Sequence, residues 1–368
     1  KIVEINQSEG WVRVQPGVIC DELNAILKPL GLYFGPNTST SNRCMIGGMV
    51  GNNSCGSTSI RYGTTRQHVL ELETILSDGT PAIFKNWNTE ELRQIVSQNN
   101  LQSKIVNDMV AALQPEEVRA EIKEDYPNAA LHRRNTGYAL DEIIIQQPFE
   151  PSGEPLNFCK ILAGSEGTLA FTTAIKLHVD ALPPTHEAVV CIHFDDLHAC
   201  MEATVLAMQS NPYQCELMDK IVLDATKKNS EQLENRFFVE GDPAALLCVE
   251  LRDEDETGLQ QQIATLINRL KGEQFGYSYP VLFPPDTQKV WNLCTAGLGL
   301  LSSVPGDAKP VAFVEDTALA LPNLPAYIRE FDALMQGFGQ QAVYYAHAGA
   351  GELHLRPALN LKTSEGRK

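Results

Sequence analysis

Residues 45–63, MIGGMVGNNSCGSTSIRYG, constrain this chain more than any other stretch. Five glycines, two asparagines and four serine or threonine hydroxyls in one run predict a segment that cannot form a core. Gly47 and Gly48 let backbone approach a flat or charged ligand without a Cβ in the way. Asn52, Asn53, Ser54, Ser57 and Thr58 supply short polar groups able to hydrogen-bond it. Backbone amides and small side chains of this kind suit a large, polar, non-metal cofactor. A pair of tight turns between strands accounts for the same composition about equally well, since glycine and asparagine are the commonest turn formers. The segment 164–168, GSEGT, shifts that balance. It lies between the apolar, strand-like runs 159–163 and 169–179 and again puts small residues where a chain can cross a ligand closely.

At these two segments the chain resembles the FAD-linked oxidase family with the vanillyl-alcohol-oxidase or PCMH type of flavin domain. Its D-2-hydroxy-acid dehydrogenases carry an IGG...N..G....RYG block and a later GSEGTLG block. HRRNTGYALD at 132–141 and GDAKPVAFVEDTALA at 306–320 are similar to the long bacterial D-2-hydroxyglutarate or D-lactate dehydrogenases, and the similarity runs over essentially all 368 residues. Four blocks in the right order carry what no one of them would. The resemblance implies an α+β fold. The remainder of a PCMH-type FAD-binding domain would occupy 1–183, with a polar insertion at about 114–154, and an α/β substrate or cap domain with a mostly antiparallel sheet would occupy 184–368. It further implies that Pro36, Gly47, Gly48, Asn52, Ser54, Gly56, Tyr62 and Gly63, with Glu166, Gly167 and Thr168, line one continuous FAD groove.

At 368 residues the chain exceeds the usual single-domain size, and 43% hydrophobic residues suffice for two separate cores. No apolar run reaches the roughly 18 residues a membrane span needs, and the opening KIVEINQSEG lacks the basic-then-apolar layout of a signal peptide. A soluble, cytoplasmic protein is predicted. With 46 acidic against 29 basic residues the formal charge is -17, which disfavours nucleic acid or an anionic membrane as partner. An acidic substrate then needs a local basic pocket. Nine cysteines, scattered and without a C-x-x-C pair, favour reduced, mostly buried thiols over disulfides, and no iron–sulfur cluster is expected in this chain.

Val12 and Val14 flank Arg13 in a strand pattern ending at Pro16 and Gly17, after which Ile19, Leu23, Ile26, Leu27 and Leu30 recur at helical spacing. A hairpin arm is predicted over 70–76 with its turn at Asp78 and Gly79, and Asn88 with Glu91 has the pattern of a capping box opening the helix of Leu92, Ile95 and Val96. Pro183 and Pro184 mark the predicted domain junction. Beyond it, strands over 188–194, 245–251 and 311–314, and a closing strand over 342–345, alternate with helices over 197–208, around Leu259 to Leu270, and near 324–335. Short connections between them predict helices on one face of a mostly antiparallel sheet.

His347 and His354, in YYAHAGAGELHLRP, lie seven residues apart across Gly349, Ala350 and Gly351, so a hairpin could bring both imidazoles to one place. Taken alone, two histidines beside a turn are more often ordinary surface or half-buried residues than metal ligands. The resemblance points the other way. Here the family has H-x-G-D-G-N-x-H, and in its metal-dependent members both histidines bind a divalent ion, zinc or manganese, that chelates the substrate's hydroxyl and carboxylate and lowers the hydroxyl pKa. The chain departs from that pattern at three points. Ala350 stands for the aspartate and Glu352 for the asparagine, altering the surroundings that orient the histidines. The family's third ligand and catalytic histidine lie in a G-E-H-G segment that would follow Lys368. Cys294, in WNLCTAGL, falls where relatives place an arginine that grips the substrate carboxylate. Low metal occupancy is therefore expected, with Lys309 on the same cleft wall as the histidines to take the distal carboxylate or the hydroxyl. Arg133, Arg134 and Asn135 form a local basic patch. Paired arginines in a polar insertion usually face water, whereas the resemblance sets them at the active-site mouth, within reach of a dicarboxylate, with Arg356 of similar standing.

The function so implied is an FAD-dependent dehydrogenase that takes hydride from a D-2-hydroxy acid, such as D-2-hydroxyglutarate or D-lactate, to flavin N5 and passes electrons to a separate acceptor. A dimer is one candidate assembly. Nicotinamide is disfavoured, because no G-x-G-x-x-G opens a helix after a strand. Two alternatives stay open: a non-catalytic fragment or binding module that keeps the fold without the site, and another flavin reaction on this fold, either aryl-alcohol oxidation or lipid synthesis of the alkyl-glycerone-phosphate type. Relatives cradle the FAD pyrophosphate on a P-R-G-G-G-T type loop that would precede Lys1, so weak FAD binding by this chain alone is expected. Apolar residues that would pack on that subdomain, Trp11–Val14 among them, are expected to be exposed and to favour self-association.

Overall fold

The computed structural model describes residues 1–128, 130–134, 137–301 and 305–367, and for residue 298 the backbone only. The chain divides into two compact units, Lys1–Ala129 with Arg134–Leu182, and Ala130–Arg133 with Pro183–Lys368.

The first unit is built on a five-stranded antiparallel sheet in the order Ile2–Asn6, Trp11–Val14, Phe171–His178, Val69–Ile75, Pro81–Lys85. Trp11–Val14 is not exposed as expected. Ile2–Asn6 and Phe171–His178 hydrogen-bond its two edges, Val12 and Val14 are fully buried, and the Lys176 ammonium lies 3.9 Å from the Trp11 ring centroid. Arg13, which alternates with the valines, reaches Glu71 at 2.7 Å and also Glu73. Helix Cys20–Leu27 buries Cys20, Leu23 and Leu27, tightens into a 3-10 turn at Lys28–Leu30, and stops at Gly31 in the left-handed region (φ 74°). The capping box forms: the Glu91 amide donates to Asn88 Oδ1 at 2.9 Å and the Asn88 amide to Glu91 Oε2 at 3.0 Å.

Three expectations for this unit need correction. The glycine-rich run does enter the core, because helix Ile46–Asn52 puts Ile46, Met49 and Val50 on one buried face, and that helical spacing outweighs the glycines. Cys159–Leu162 is a helical turn, not a strand, entered through Phe158, and the Cys159 amide donates to Asn157 Oδ1 at 2.8 Å. The polar insertion contains helices Glu116–Asp125 and Leu140–Ile144, whose Ile122, Ile143 and Ile144 join the core.

The second unit has an eight-stranded antiparallel sheet in the order Val281–Leu282, His186–Phe194, Ala245–Asp253, Gln214–Asp219, Ala342–His347, Glu352–Leu359, Lys309–Pro310, with Val314–Ala318 also paired to Glu352–Leu359. The strand expected at 311–314 starts only at Val314, and 342–345 does not close the sheet. A 3-10 turn at Ala348–Ala350 and Gly351 (φ 68°) return the chain as Glu352–Leu359.

Helices cover both faces of this sheet, not one. In His186–Phe194 every residue from Ala188 onward is buried, as in a strand with no wet face. Val189, Cys191, Leu246 and Cys248 pack with Val222 of helix Lys220–Lys227 and with Val290, Leu293 and Cys294 of helix Thr287–Leu300. Side chains alternate across a strand, so the opposite face is left to helices Leu197–Ala207 and Glu256–Gly272, which contact the same strands. The α+β class with mostly antiparallel sheets holds. Among the described residues no helix is long and apolar enough to cross a membrane.

Candidate active site

In the first unit the two glycine-rich segments lie side by side. The Gly164 amide donates to the Val50 carbonyl and the Glu166 amide to the Gly51 carbonyl, each at 2.9 Å. Asn52 Nδ2 donates to Glu166 Oε1 at 2.9 Å, and Ser54 Oγ to Asn52 Oδ1 at 2.8 Å. Thr168 Oγ1 donates to the Ser165 carbonyl at 2.6 Å and lies 2.8 Å from the Tyr138 hydroxyl. A Cβ on Gly48 or Gly167 would meet nothing within 4 Å, so backbone at both is open to a ligand. Glu166 (φ 51°) and Gly167 (φ 71°) are both left-handed, which turns successive amides along this edge. Open backbone beside short polar side chains fits a flavin.

The other expected cofactor residues have protein-internal roles. A Cβ on Gly47 would lie 2.5 Å from Pro16 Cβ, and one on Gly56 2.6 Å from the Asn37 carbonyl oxygen, so both glycines make room for the chain itself. Gly63 (φ 68°) ends the short helix Ser59–Tyr62 and abuts the Gln67 amide. Pro36 is buried, with its carbonyl 3.9 Å from Cys20 Sγ. Tyr62 packs on Gly35 and meets Tyr33 edge-on at 5.6 Å between centroids. Arg66, which no sequence motif singled out, is a buried guanidinium that bonds the carbonyls of Ala163 and Gly137 and lines a cleft of about 250 Å³ with Tyr126, Arg134, Tyr138 and Asp141. Its signal was slight: one arginine in RYGTTRQ with no periodic context.

In the second unit the hairpin brings His347 and His354 together, with ring centroids 5.3 Å apart. Each Nδ1 meets a carboxylate, His347 with Glu216 at 2.7 Å and His354 with Glu315 at 2.6 Å. Neither Nε2 has a hydrogen-bond partner among the described residues. A carboxylate behind Nδ1 is the usual arrangement for a histidine that offers Nε2 to a metal or a proton. Asp316 lies 3.3 Å from His354 Nδ1, and Glu315, Asp316 and His354 offer ligand atoms all within 4.8 Å of one another. Glu216 Oε1 is buried with no partner among the described residues. Mixed imidazole and carboxylate donors with an orphaned carboxylate oxygen fit a divalent ion of the zinc or manganese kind.

Charge sets the protonation of this cluster. Burial alone would lower the His354 pKa, but hydrogen bonds to Asp316 and Glu315 and the charge of Glu352 outweigh it and raise the value to about 9. The Asp316 carboxyl is held down at about 2 by its hydrogen bond to His354. Burial pushes the Glu352 carboxyl up, against the pull of Arg133.

The basic residues expected to receive a substrate carboxylate are already paired. Arg133, expected to face water if not at the site, is buried and bonded to buried Glu352. Arg134 pairs with Asp141 and Glu142, and Arg356 Nε donates to Glu315 Oε1 at 2.5 Å. Asn135 lies outside the described residues. Lys309 is not brought to the histidines. It pairs with Leu359, five positions beyond His354 on strand Glu352–Leu359, or about 17 Å at 3.4 Å per residue. Cys294 is buried against Cys248 in the core, where an arginine could not be solvated.

Open backbone at Gly48 and Gly167 beside short polar side chains in one unit, and a histidine–carboxylate cluster on an antiparallel sheet in the other, together have the pattern of a flavoprotein. Residues 1–84 match the FAD binding domain family and residues 183–368 the family of FAD linked oxidases, C-terminal domain. The chain belongs to the FAD-linked oxidases, as its motifs implied. It is 33% identical to a D-2-hydroxyglutarate dehydrogenase of Haemophilus influenzae, over 99% of this chain and 36% of that one. Identity to the enzyme of that name from Escherichia coli is 30%, over 98% of this chain and 36% of that one. A D-lactate dehydrogenase of Archaeoglobus fulgidus is 24% identical, over 93% of this chain and 60% of that one. The chain thus spans little more than a third of the length of the D-2-hydroxyglutarate dehydrogenases it matches. An alkyldihydroxyacetonephosphate synthase (TM-score 0.60, 14% identity, 97% of this chain and 59% of that one) shares the fold. So does a p-cresol methylhydroxylase (TM-score 0.58, 12% identity, 100% of this chain and 66% of that one).

Proposed function

We propose that this chain is the flavin- and substrate-binding part of a cytoplasmic, FAD-dependent dehydrogenase of D-2-hydroxy acids. D-2-hydroxyglutarate is the first candidate substrate and D-lactate the second, after the names its relatives carry. The observation that carries the reading is the histidine pair, each ring backed at Nδ1 by a carboxylate. Oxidising a 2-hydroxy acid removes a proton from the hydroxyl and a hydride from C2. FAD, when bound, would supply the hydride acceptor, with a separate electron acceptor as the partner the reaction requires.

This chain's residues handle the proton and the charge. His347, held by Glu216, offers Nε2 to the hydroxyl proton, and Glu216 stabilises the imidazolium that results. His354, with a pKa of about 9, is cationic at neutral pH and attracts the substrate carboxylate. Should a divalent ion bind, the two Nε2 atoms would be its donors in place of these roles, His354 giving up its proton and Glu216 and Glu315 orienting the rings; such an ion would make the hydroxyl more acidic. Gly48, Asn52, Ser54 and 166–168 are the positions assigned to hold FAD.

The test is anaerobic mixing of the FAD-loaded protein with D- and L-2-hydroxyglutarate and D- and L-lactate, following loss of the visible flavin band. D-enantiomers should bleach it, and His347→Asn should slow bleaching by about 100-fold or more. Bleaching by none of the four acids, or equal rates for the His347→Asn variant, would sink the proposal.

A further inference from the structure

We infer that Arg66 is the positioning residue of the cofactor groove, a staple whose guanidinium holds the carbonyl of Ala163, beside the second glycine-rich segment, to those of Gly137 and Arg134, while its backbone amide ties the first segment at Asn53; this rests on the FAD reading above. Its guanidinium is buried, yet among the described residues it donates only to carbonyl oxygens: Nε and Nη2 to Ala163 at 3.1 and 2.8 Å, Nη2 to Gly137 at 3.1 Å, Nη1 to Arg134 at 3.5 Å. Burying a guanidinium without a directly bonded carboxylate is costly. What offsets the cost is geometry, since a planar fork of five N–H donors reaches carbonyls on separate segments and a lysine ammonium does not.

Each contact acts on the groove. Ala163 precedes Gly164, which is left-handed (φ 89°) and whose Cβ, if present, would lie 2.5 Å from Arg66 Nη2. Arg66 therefore occupies the space that glycine leaves. The Arg66 amide donates at 2.7 Å to Asn53 Oδ1, and Asn53, itself left-handed (φ 56°), ends the helix Ile46–Asn52 that carries Gly48 and Gly51. Gly51 in turn accepts the Glu166 amide. On the third segment, Gly137 O meets Arg66, and the next residue, Tyr138, places its hydroxyl 2.8 Å from Thr168 Oγ1. The Arg66 side chain thus ties Ala163 to Gly137, which lie 97 and 71 residues along the chain from it, and its amide ties both to Asn53. Arg66 is a positioning residue that acts through the amides it aligns, not on a reacting atom.

Hydrogen exchange and FAD titration on Arg66→Lys test the inference. In the cofactor-free variant the Gly164 and Glu166 amides should exchange about tenfold faster or more, with strand Phe171–His178 unchanged, and the FAD dissociation constant should rise by about tenfold or more. Unchanged exchange at those amides, or unchanged FAD affinity, overturns it. Should Arg66→Lys not fold, the native protein decides: adding FAD should slow exchange at 50–54, 163–168 and 137–141 together. Protection of the first two stretches without the third overturns the staple. No protection anywhere removes the FAD reading and the cofactor role of Arg66 with it, an outcome distinct from a variant that still binds FAD as the native chain does.

Discussion

His354 shows how far one residue can be read. Its spacing from His347 was visible in the sequence and the hairpin delivers the pair, but the carboxylates that set its charge were not, because Glu315 lies 39 residues away and the Glu216 partner of His347 lies 131 away. No local pattern encodes contacts of that range. The consequence is measurable. A folded pKa of about 9, against an ordinary value of 6.5, means the folded state binds the proton more tightly than the unfolded chain. That stability is fully present below pH 6.5 and is lost as pH rises through about 9, an upper bound of about 3 kcal/mol. Denaturant titrations of metal-free protein near pH 6 and above pH 9 should show the fall, and His354→Gln should abolish most of the difference. An imidazole titrating near 6.5 by NMR would refute it. The depressed Asp316 carboxyl reports the same contact from the other side, with its edge near pH 2, so the two are not additive.

Elements were legible where a local rule decides them. The Asn88 capping box, the buried stripe of helix Cys20–Leu27 and the Asp78–Gly79 turn with left-handed Gly79 all form as the residue types require. Helix Ile46–Asn52 was missed because glycine content was weighed above the spacing of Ile46, Met49 and Val50. The hairpin across His347 and His354 was legible, but the expected closing strand was 342–345, whereas Glu352–Leu359 runs on to pair Pro357 with Ala342 at the open end of the hairpin. The two adjacent glycines of the helix now separate two roles the sequence could not. Gly47→Ala drives a Cβ to 2.5 Å from Pro16 Cβ and should destabilise the protein by about 1–3 kcal/mol, with or without FAD. Gly48→Ala meets nothing within 4 Å and should leave the cofactor-free protein as stable or slightly more so, while weakening FAD binding. Melting curves with and without FAD check both, and a destabilised Gly48→Ala with native FAD affinity would show that the groove lies elsewhere.

Across the whole molecule the formal charge of -17 correctly anticipated that positive groups would be scarce, but not that they would be taken: Arg133, Arg134 and Arg356 all have carboxylate partners. A substrate carboxylate must then compete with Glu352 or Glu315, or find His354. The cysteines give the most direct test of how the molecule is held together. All nine are thiols; Cys44 and Cys55 are half-buried and the other seven are buried. Burial raises the Cys20 thiol to about 12 and pushes Cys159, Cys200 and Cys215 up as well, while Cys248 and Cys294 are pushed up first by hydrogen bonds with Cys191 and Cys248, respectively, and then by burial, so in the folded protein they are both inaccessible and un-ionised. Cys20 and Cys159 sit in the core of the first unit, whereas Cys191, Cys200, Cys215, Cys248 and Cys294 belong to the second. Each unit has its own hydrophobic core, and a core opens as a cooperative whole. Thiol labelling read by mass spectrometry along a denaturant series should therefore modify no more than Cys44 and Cys55 in the native protein. Cys20 and Cys159 should then become reactive together at one denaturant concentration, and the five thiols of the second unit together at another or the same one. Labelling of Cys248 or Cys294 without denaturant, or a midpoint for Cys20 that differs from that of Cys159, would contradict the burial on which both cores depend.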